Sequence, residues 1–466
     1  MKNKYDAIII GAGISGLICG TYLAKNGLKV LMLEKNKNAG GCCASFYRKG
    51  IKFDAGAHII GECGKGGMLR TILTYLGVNQ KFYQPKFTDR IFFPEDIVEI
   101  PNDLAGYAAL LQQKFKKERN NISRFFNKFI SCSNIANIAL IQKNYSGITY
   151  QELLNKYFIS NRLKAILSAQ SGYLGVAPNK VNAAAMCAML SSYLAKGAYY
   201  PVGGSQSFAD NIMKRFIYYG GELKLASRVS RILLSNGAAE GVAVNEKEIF
   251  KTNKIVSSID LHTTLFELLK NEKIKSQVKT RLTLSKETPS LFVLYLGVAA
   301  DTKLIERSVG WHYAHYEINK FEFDDCVYIT APTLYDSSLS PKGIHAVQLF
   351  IKSRYDFNSM RNWHAAKDIF IKEALLKLDM LIPGVKEKIT VIESASPETI
   401  RRFTNNKNGA AYGWMLTTGQ YERNKIIAQN VNDGLFLTGH WTNPGGGIVA
   451  VGISGCAAAK KILKSL

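Results

Sequence analysis

The chain has 466 residues, of which 47% are hydrophobic and 21% are charged. This length predicts two or three structural units, and the share of apolar residues excludes a chain that is disordered throughout. No apolar run approaches the ~20 residues that a membrane-spanning helix needs, so we do not expect an integral membrane protein.

The formal net charge is +24 at pH 7. The positive residues are spread along the chain, and no zinc finger, RNP motif or basic zipper accompanies them, so we expect no nucleic-acid partner. Peripheral contact with an anionic membrane surface is the contact that this charge favours. The eight cysteines form no CxxC pair and no dense framework, which predicts reduced thiols in a cytoplasmic protein, at most peripheral to the membrane.

The N-terminal region carries the strongest local pattern. Residues 5–10 predict a buried parallel strand, and an apolar helical stretch ends at about Asn26. Between them, Gly11-Ala12-Gly13-Ile14-Ser15-Gly16 matches GxGxxG. Residues 28–33 predict a second strand, which ends at Glu34. A strand, a glycine-rich turn and a helix in this order are typical of a dinucleotide-binding unit.

Each glycine of the motif has its own physical role. Gly11 permits the tight turn, Gly13 lets the backbone approach a pyrophosphate, and Gly16 lets the helix pack closely on the strand. The N-terminus of the helix presents free amides to the phosphates, and Glu34 is placed to accept hydrogen bonds from ribose hydroxyls. We therefore predict a dinucleotide site; the alternative is a glycine-rich turn that serves packing alone.

The next segment points to a family. Ala39-Gly40-Gly41-Cys42-Cys43 is followed by Phe53-Asp54-Ala55-Gly56-Ala57-His58. With these motifs the chain resembles the FAD-dependent phytoene desaturase, carotenoid isomerase and retinol saturase group, within the glutathione-reductase-type and amine-oxidase-like flavoproteins. It looks most like the retinol saturase and carotenoid isomerase branch. Many desaturases and amine oxidases carry an arginine after the paired glycine, where this chain has Cys42.

The resemblance extends to the middle and the end of the chain. Tyr200–Ser205 precedes a predicted helix, and a set of predicted strands follows it and closes at Ser258. In the resembled family this block supplies a backbone contact on the adenine side, here nearest Val229. The glycine-rich turn of residues 439–447 precedes a helix predicted from about Ile448 to Leu463, and in the family it approaches the isoalloxazine ring.

The resemblance implies FAD as the cofactor. It implies an α/β fold in which a Rossmann-like, glutathione-reductase-type FAD-binding domain carries an inserted α+β substrate domain. The residues that we predict to contact the cofactor are Gly11, Gly13, Ile14, Ser15, Gly16, Glu34, Lys35, Gly40, Gly41, Cys42, Gly56, Ala57, His58, Val229, Ser258, Gly439, His440, Gly446, Gly447 and Ile448.

The chain order divides the sequence between the two domains. Residues 76–195 have a mostly helical pattern, with helices predicted at residues 104–117, 122–143, 150–157, 163–170 and 183–194. Residues 288–395 alternate strand patterns with one helix. We predict that these two insertions form the substrate-binding domain. The discontinuous FAD-binding domain then consists of residues 1–75, 196–287 and 396–466.

The chemistry implied is hydride transfer at flavin N5, which needs little acid–base help. His58, Tyr412 and Trp441 are the predicted catalytic residues. His58 and His440 are candidate proton donors or acceptors near neutral pH, and the alternative is that each is a hydrogen-bonded histidine beside the cofactor. Tyr412 and Trp414 are predicted to wall an apolar pocket, unless they only pack in the core.

Three hypotheses about function follow. The first is an FAD-dependent oxidoreductase of the desaturase, saturase or isomerase type, acting on a polyene, an isoprenoid or another hydrophobic small molecule. The second is an FAD-dependent amine or amino-acid-type oxidase with a soluble substrate. The third is a flavin-free binding protein similar to the prenyl-protein escorts, which the intact glycine set disfavours. We predict no metal site, because the histidines are dispersed. We expect that electrons leave to oxygen or a quinone, or arrive from a soluble reductant.

Overall fold

The computed structural model describes residues 4–131, 135–270, 276–317, 326–353, 363–421 and 433–466. Among these residues, no helix has the length and hydrophobicity needed to cross a membrane. The strands are β1 (Ala7–Ile10), β2 (Val30–Leu33), β3 (Ser45–Arg48), β4 (Ile51–Asp54), β5 (Ile60–Gly61), β6 (Phe82–Tyr83), β7 (Phe87–Phe93), β8 (Asp96–Pro101), β9 (Ala198–Pro201), β10 (Glu222–Lys224), β11 (Val229–Ser235), β12 (Ala238–Val244), β13 (Glu248–Lys251), β14 (Ile255–Ser257), β15 (Leu291–Val298), β16 (Gly310–Tyr313), β17 (Cys326–Thr330), β18 (His345–Lys352), β19 (Ile389–Ala395) and β20 (Leu435–Leu437).

The α-helices lie between these strands. They are α1 (Ile14–Lys25), α2 (Met68–Tyr75), α3 (Leu104–Lys114), α4 (Arg119–Phe125), α5 (Ile135–Tyr145), α6 (Tyr150–Tyr157), α7 (Asn161–Ser168), α8 (Ala183–Leu194), α9 (Gly204–Tyr218), α10 (Ser276–Leu284), α11 (Thr302–Glu306), α12 (Trp363–Leu381), α13 (Pro397–Thr404) and α14 (Ile448–Lys464).

A parallel sheet in the order β10-β2-β1-β14-β20 forms the first half of the structure. Its apolar strands are buried on both faces, as parallel strands usually are. Ile9 and Met32 pack on the side of helices α1, α2, α9 and α14, while Ile8 and Leu31 pack on the side of the antiparallel unit β11-β12-β13. The strands of this sheet come from the three segments that we assigned to the FAD-binding domain.

A second sheet, in the order β19-β15-β18-β17-β16-β7-β8, forms the other half. Its neighbouring strands run antiparallel, except that β16 and β7 run parallel. Helices α3–α8 share a core with β7, β8, β16 and β17, which joins them to one end of this sheet.

The mostly helical prediction for residues 76–195 did not include the strands found at residues 87–101, which precede its first predicted helix. These residues form the hairpin β7-β8, whose two-residue turn is Pro94-Glu95. Ile91 and Phe93 are buried on alternate positions, as a strand requires. The polar pair Asp89-Arg90 interrupts the apolar pattern of β7, and the hydrogen-bonding partners of Asp89, Gln170 and Tyr173, lie far away in the sequence.

The helix predicted over residues 122–143 is also not continuous. Helix α4 ends at Phe125, a turn of π-helix covers Phe126–Ile130, and α5 begins at Ile135. Residues 132–134 of that prediction lie outside the described residues. The predicted helices at Tyr150–Tyr157 and Ala183–Leu194 are found with those bounds.

Helices α1 and α14 cross in close contact, and two glycines of α14 differ in what surrounds them. A Cβ at Gly455 would lie 2.5 Å from the Ser15 carbonyl oxygen, which belongs to the backbone. A Cβ at Gly452 would meet only side-chain methyl groups, of Ile18 at 3.3 Å and of Leu69 at 3.4 Å. The crossing therefore requires a glycine at position 455 and only a small residue at position 452.

We expect Gly455→Ala to destabilise the protein by about 1–3 kcal/mol, the usual cost of overpacking a core. Gly452→Ala is the matched control, because it brings the same gain in helix propensity, about 1 kcal/mol, without a backbone clash. Midpoints of thermal unfolding measure the difference. Equal midpoints for the two variants would mean that the crossing does not depend on this contact.

Candidate active site

A cavity of about 930 Å³ lies between the two sheets. One end is lined by the glycine-rich turn after β1 and by Glu34 at the end of β2. The other end is lined by side chains of β16, β17 and β18 and of the turn after α7, among them Trp311, Tyr328, Phe350 and Tyr173. A ligand in this cavity would therefore contact both halves of the structure.

The glycine-rich turn opens directly onto the cavity. Gly11 has φ +95°, which favours glycine, and a Cβ at Gly16 would lie 2.2 Å from the Gly11 carbonyl oxygen. A Cβ at Gly13 would meet no atom within 4 Å, because this residue faces the open cavity. Gly13 also caps α1, so the first amides of the helix face the same space. Gly16, by contrast, serves the packing of α1 on β1 and does not line the cavity.

Glu34 ties the end of β2 to the glycine-rich turn. Its Oε2 accepts a hydrogen bond from the Ala12 N–H (2.8 Å), and its Oε1 accepts one from the Asn36 N–H (2.9 Å). The carboxylate is buried at 6% exposure and lines the cavity. A carboxylate has about four lone-pair sites, so it can accept further hydrogen bonds from a ligand hydroxyl.

The C-terminal glycines divide into two groups. Gly439 and Gly447 line the cavity, and a Cβ at Gly447, which caps α14, would meet no atom within 4 Å. A Cβ at Gly446 would lie 2.7 Å from the Tyr412 carbonyl oxygen, so this glycine packs against backbone and is not part of the lining. The predicted cofactor contact at Gly446 is therefore corrected to a packing role.

Most of the other predicted cofactor residues line the same cavity. Ser258 also holds the glycine-rich turn, because its Oγ donates to the Ile10 and Gly11 carbonyl oxygens, at 3.0 and 2.8 Å. The predicted residues in the lining are Gly11, Gly13, Ile14, Ser15, Glu34, Lys35, Gly40, Gly41, Cys42, Gly56, Ala57, His58, Val229, Ser258, Gly439, His440, Gly447 and Ile448.

Trp441 does not reach the cavity. Its ring is buried against Trp414 at a centroid distance of 4.8 Å, and its Nε1 donates to Asn406 Oδ1 (3.3 Å). Trp414 is buried beside it and donates from Nε1 to the Trp441 carbonyl oxygen (3.1 Å). Both rings belong to the core beside the parallel sheet, so the catalytic role predicted for Trp441 is replaced by packing. Tyr412 does line the cavity.

The two candidate histidines are neutral at physiological pH. Burial lowers the pKa of His58 and of His440 to about 4. His58 Nδ1 lies 3.2 Å from the Gly56 carbonyl oxygen, so Nδ1 carries the ring proton. His440 Nε2 lies 3.2 Å from Asn406 Oδ1 and donates to it in the same way. Neither ring is therefore a proton donor of the imidazolium type.

Asp54, in the motif of residues 53–58, has a structural role that the sequence analysis did not predict. Its Oδ1 accepts from the N–H and the Oγ of Ser205 (2.9 and 2.7 Å) and from Ser45 Oγ (2.8 Å). Its Oδ2 accepts from the Tyr200 hydroxyl (2.6 Å). The carboxylate thus caps the first turn of α9 and fixes β4 beside the cavity. An acidic residue that ends a strand was the available signal.

The far end of the cavity is lined by aromatic rings. Tyr173 stacks on Tyr193 with nearly parallel rings whose centroids are 5.2 Å apart, and it meets the Trp311 ring edge-on at a centroid distance of 5.1 Å. A Cβ at Gly172 would lie 2.2 Å from the Trp311 ring, so this glycine makes room for the tryptophan. The aromatic wall comprises His58, Tyr173, Tyr193, Trp311, Tyr328, Phe350 and Tyr412.

A buried carboxyl group lies behind this wall. Asp89 accepts hydrogen bonds from Gln170 Nε2 (2.8 Å) and from the Tyr173 hydroxyl (3.0 Å to Oδ2). The Trp311 indole N–H also points toward it without reaching hydrogen-bonding geometry. Burial raises the pKa of Asp89 to about 7, against the smaller opposing effect of these donors. Sequence reasoning missed this network, since its members are brought together by folding alone.

Comparison with known proteins identifies the family. Residues 14–463 match the flavin containing amine oxidoreductases, and the chain belongs to that family. Prolycopene isomerase from Daucus carota is 26% identical, covering 100% of this chain and 81% of the relative. All-trans-retinol 13,14-reductase from Homo sapiens is 25% identical, covering 94% and 82%. The predicted resemblance and the flavoenzyme class are confirmed.

Solved structures show the same fold. An oxidoreductase from Methanosarcina mazei superposes with a TM-score of 0.73 at 17% identity, over 98% of this chain and 100% of the other. Putrescine oxidase with bound putrescine gives a TM-score of 0.67 at 12% identity, over 99% of both chains. At these identities the likeness concerns the fold alone, and it confirms the predicted α/β fold.

The open space at Gly13 allows a direct test of the cofactor site. We expect Gly13→Val to lower the affinity for FAD at least about tenfold, because the side chain would occupy the space reserved for the pyrophosphate. The backbone at Gly13 has φ −72°, which suits valine, and no protein atom lies within 4 Å of a Cβ built there, so we expect the fold to be retained. Flavin absorbance after purification and far-UV circular dichroism measure the two effects.

Gly147→Val is the matched control, since Gly147 is exposed and a Cβ there would also meet no atom within 4 Å. Undiminished flavin content in Gly13→Val would contradict the assignment of this turn to the phosphates.

Asp89 makes stability depend on pH in a defined direction. Its carboxyl has a pKa of about 7 in the folded chain and the usual value of 3.8 when unfolded, so the unfolded chain loses the proton first. Stability therefore falls as pH rises from about 4 to about 7 and changes no further above that. A difference of about three pKa units corresponds to a loss of about 4 kcal/mol in the free energy of unfolding. Asp89→Asn removes this loss.

Thermal midpoints of both proteins across this pH range measure the effect. We expect the thermal midpoint of Asp89→Asn to rise relative to that of the wild type as pH rises. A difference between the two proteins that is constant with pH would contradict the assigned titration.

Proposed function

We propose that the chain is an FAD-dependent oxidoreductase of the desaturase, saturase or isomerase type that acts on a polyene, an isoprenoid or a similar hydrophobic small molecule. The observation that carries the proposal is the cavity itself. It joins the glycine-rich turns and Glu34 at one end to the aromatic wall at the other. A dinucleotide cofactor and an apolar substrate would therefore meet inside one cavity.

The residues at the first end fit FAD. The open space at Gly13 and Gly447 and the free amides of α1 and α14 suit a pyrophosphate and a flavin ring, and Glu34 has lone pairs left for a ribose. When bound, the flavin supplies hydride transfer at N5. The chain's own contribution is to hold the substrate beside it and to exclude water.

The aromatic wall is suited to a flat, unsaturated chain. Each such ring buries on the order of 150–250 Å² of surface, and burial of apolar surface contributes about 25 cal/mol per Å². The relatives named above are a prolycopene isomerase and a retinol reductase, whose substrates are polyenes by name. Their similarity over the full chain supports a substrate of the same class here.

An amine substrate has less support from the cavity lining. Of the described residues that line the cavity, Glu34 and Glu393 are the carboxylates. Glu34 lies beside the glycine-rich turn, at the end of the cavity opposite the aromatic wall, and Glu393 forms an ion pair with Arg48 (2.6 Å). A cationic amine held at the aromatic wall would find no free carboxylate among them, although an aromatic ring can attract a cation weakly.

The visible spectrum of the purified protein, recorded before and after anaerobic reduction, is the test. We expect a flavin spectrum that bleaches, and, with a polyene present, product formation or flavin reoxidation that amines do not cause. Admission of oxygen or of a quinone then identifies the acceptor. A flavin reduced rapidly by amines, with hydrogen peroxide released and no response to polyenes, would overturn the proposal in favour of the amine oxidase hypothesis.

The polyene is best presented in vesicles, which also measures the peripheral membrane contact that we propose from the net charge of +24. We expect faster turnover with anionic than with zwitterionic vesicles, and the difference to shrink in high salt. Equal rates with both lipids would contradict an electrostatic contact with the membrane.

A further inference from the structure

We propose that Tyr173 exchanges a proton with the substrate. Asp89, buried behind Tyr173, is the positioning residue: it orients the Tyr173 hydroxyl and returns the proton to it. The inference rests on the proposed function, because adding or removing hydrogen across a carbon–carbon double bond requires a proton as well as a hydride.

Tyr173 is the member of the aromatic wall that connects the cavity to a carboxyl group. It is half-buried and lines the cavity. Its hydroxyl lies 3.0 and 3.2 Å from the two oxygens of Asp89 and 3.2 Å from the Tyr328 hydroxyl. Asp89 itself does not line the cavity and is 6% exposed. A proton on Asp89 can therefore reach the cavity through the Tyr173 oxygen.

The surroundings of Asp89 keep its charge uncompensated. Its hydrogen-bonding partners in the described structure, Gln170 and Tyr173, are uncharged. Arg90, the next residue of β7, is engaged with Glu99 at 2.8 Å and Glu306 at 3.8 Å. The titratable groups facing Asp89 are tyrosines from the packed elements around it, namely Tyr107, Tyr173, Tyr193, Tyr313, Tyr328 and Tyr335.

Burial without a cation leaves Asp89 with a pKa of about 7, so both of its protonation states are populated at physiological pH. A carboxyl group that is half protonated in working conditions suits both the delivery and the removal of a proton. A structural aspartate such as Asp54 is instead surrounded by fixed donors on both oxygens.

The proton step balances as follows for saturation of a double bond. A reduced flavin, when bound, would supply the hydride and would thereby be oxidised; the hydride forms one C–H bond with its own electron pair. The π electrons of the substrate form the second C–H bond with the proton of Tyr173, whose O–H bond breaks. Because burial raises the pKa of Tyr173 well above its usual value and disfavours a phenolate, the Tyr173 oxygen takes the proton of Asp89 in the same step, and water restores that proton after the product leaves. Desaturation runs the same transfers in reverse.

The experiment compares the flavin-loaded wild type with Tyr173→Phe. We expect the rate of the chemical step, measured anaerobically in rapid-mixing experiments, to fall about 10²–10⁴-fold in the variant, the usual contribution of a general acid or base. The substrate dissociation constant should change by less than about threefold, since the ring and its stacking remain. In deuterated water, the wild type should place one solvent deuterium on the product at a single configuration, and the variant should lose this stereospecificity.

A second measurement does not depend on turnover. Infrared titration of the Asp89 carboxyl group in the protein without substrate, assigned by Asp89→Asn, reports its pKa. Loss of the Tyr173 hydroxyl removes a hydrogen bond to the ionised form, so the pKa of Asp89 should rise in Tyr173→Phe. Asp89→Asn, which retains the tyrosine, should remove the change of rate near pH 7 from the pH profile.

Tyr193→Phe is the matched control. Its ring stacks on Tyr173, but its hydroxyl donates to the Ile59 carbonyl oxygen (3.3 Å) rather than to Asp89. We expect the pH dependence of the rate and the infrared titration of Asp89 to be the same in this variant as in the wild type. Wild-type rate, pH profile and deuterium stereochemistry in Tyr173→Phe would overturn the inference. Absence of any polyene turnover in the wild type would instead overturn the proposed function, while the infrared titration would still report on the pair.

Discussion

The close packing of the first turn of α1 between β1 and α14 is the constraint on which the site depends. The ideal Cβ positions at Gly16 and Gly455 lie 2.2 Å from the Gly11 oxygen and 2.5 Å from the Ser15 oxygen. Only glycine fits at both places, so the two helices approach until backbone meets backbone. This approach brings the turn after β1 and the turn before α14 together at one end of the cavity, with both helix N-termini directed into it.

The hydroxyl groups beneath these turns hold them in place. Ser454 Oγ lies 2.9 Å from Thr438 Oγ1 and 2.8 Å from Thr442 Oγ1, and it accepts a hydrogen bond from the Gly439 N–H at 3.2 Å. Since buried polar groups cost free energy unless they are paired, such a chain of hydroxyls stabilises one conformation of the glycine-rich turn. A preformed turn reduces the entropy that cofactor binding would otherwise cost.

Two buried aspartates show how the same side chain serves different ends. Asp54 accepts four hydrogen bonds from fixed donors and joins β4 to the start of α9. Asp89 accepts from neutral donors behind the aromatic wall, and burial raises its pKa to about 7. Burial of a carboxyl group without a cation favours its protonated form, which is why the surroundings of Asp89 bring its titration into the working range.

The sequence by itself determined the part of the protein that carries the glycine-rich turns. The elements from β1 to Glu34 and from β20 to α14 follow from short contiguous motifs, in which each glycine answers a local demand of turn geometry or close packing. Only the tertiary structure decided the aromatic wall of the cavity. Its members Tyr173, Trp311, Tyr328 and Phe350 come from separate elements, and they come together only after the second sheet has formed. The same reason explains why Trp441, which is adjacent in sequence to a cavity residue, packs in the core, and why the hairpin β7-β8 was not predicted. Local periodicity reports which residues are buried, but the partners that make a buried aspartate in β7 stable are supplied by segments about eighty residues or more away, which no local pattern can reveal.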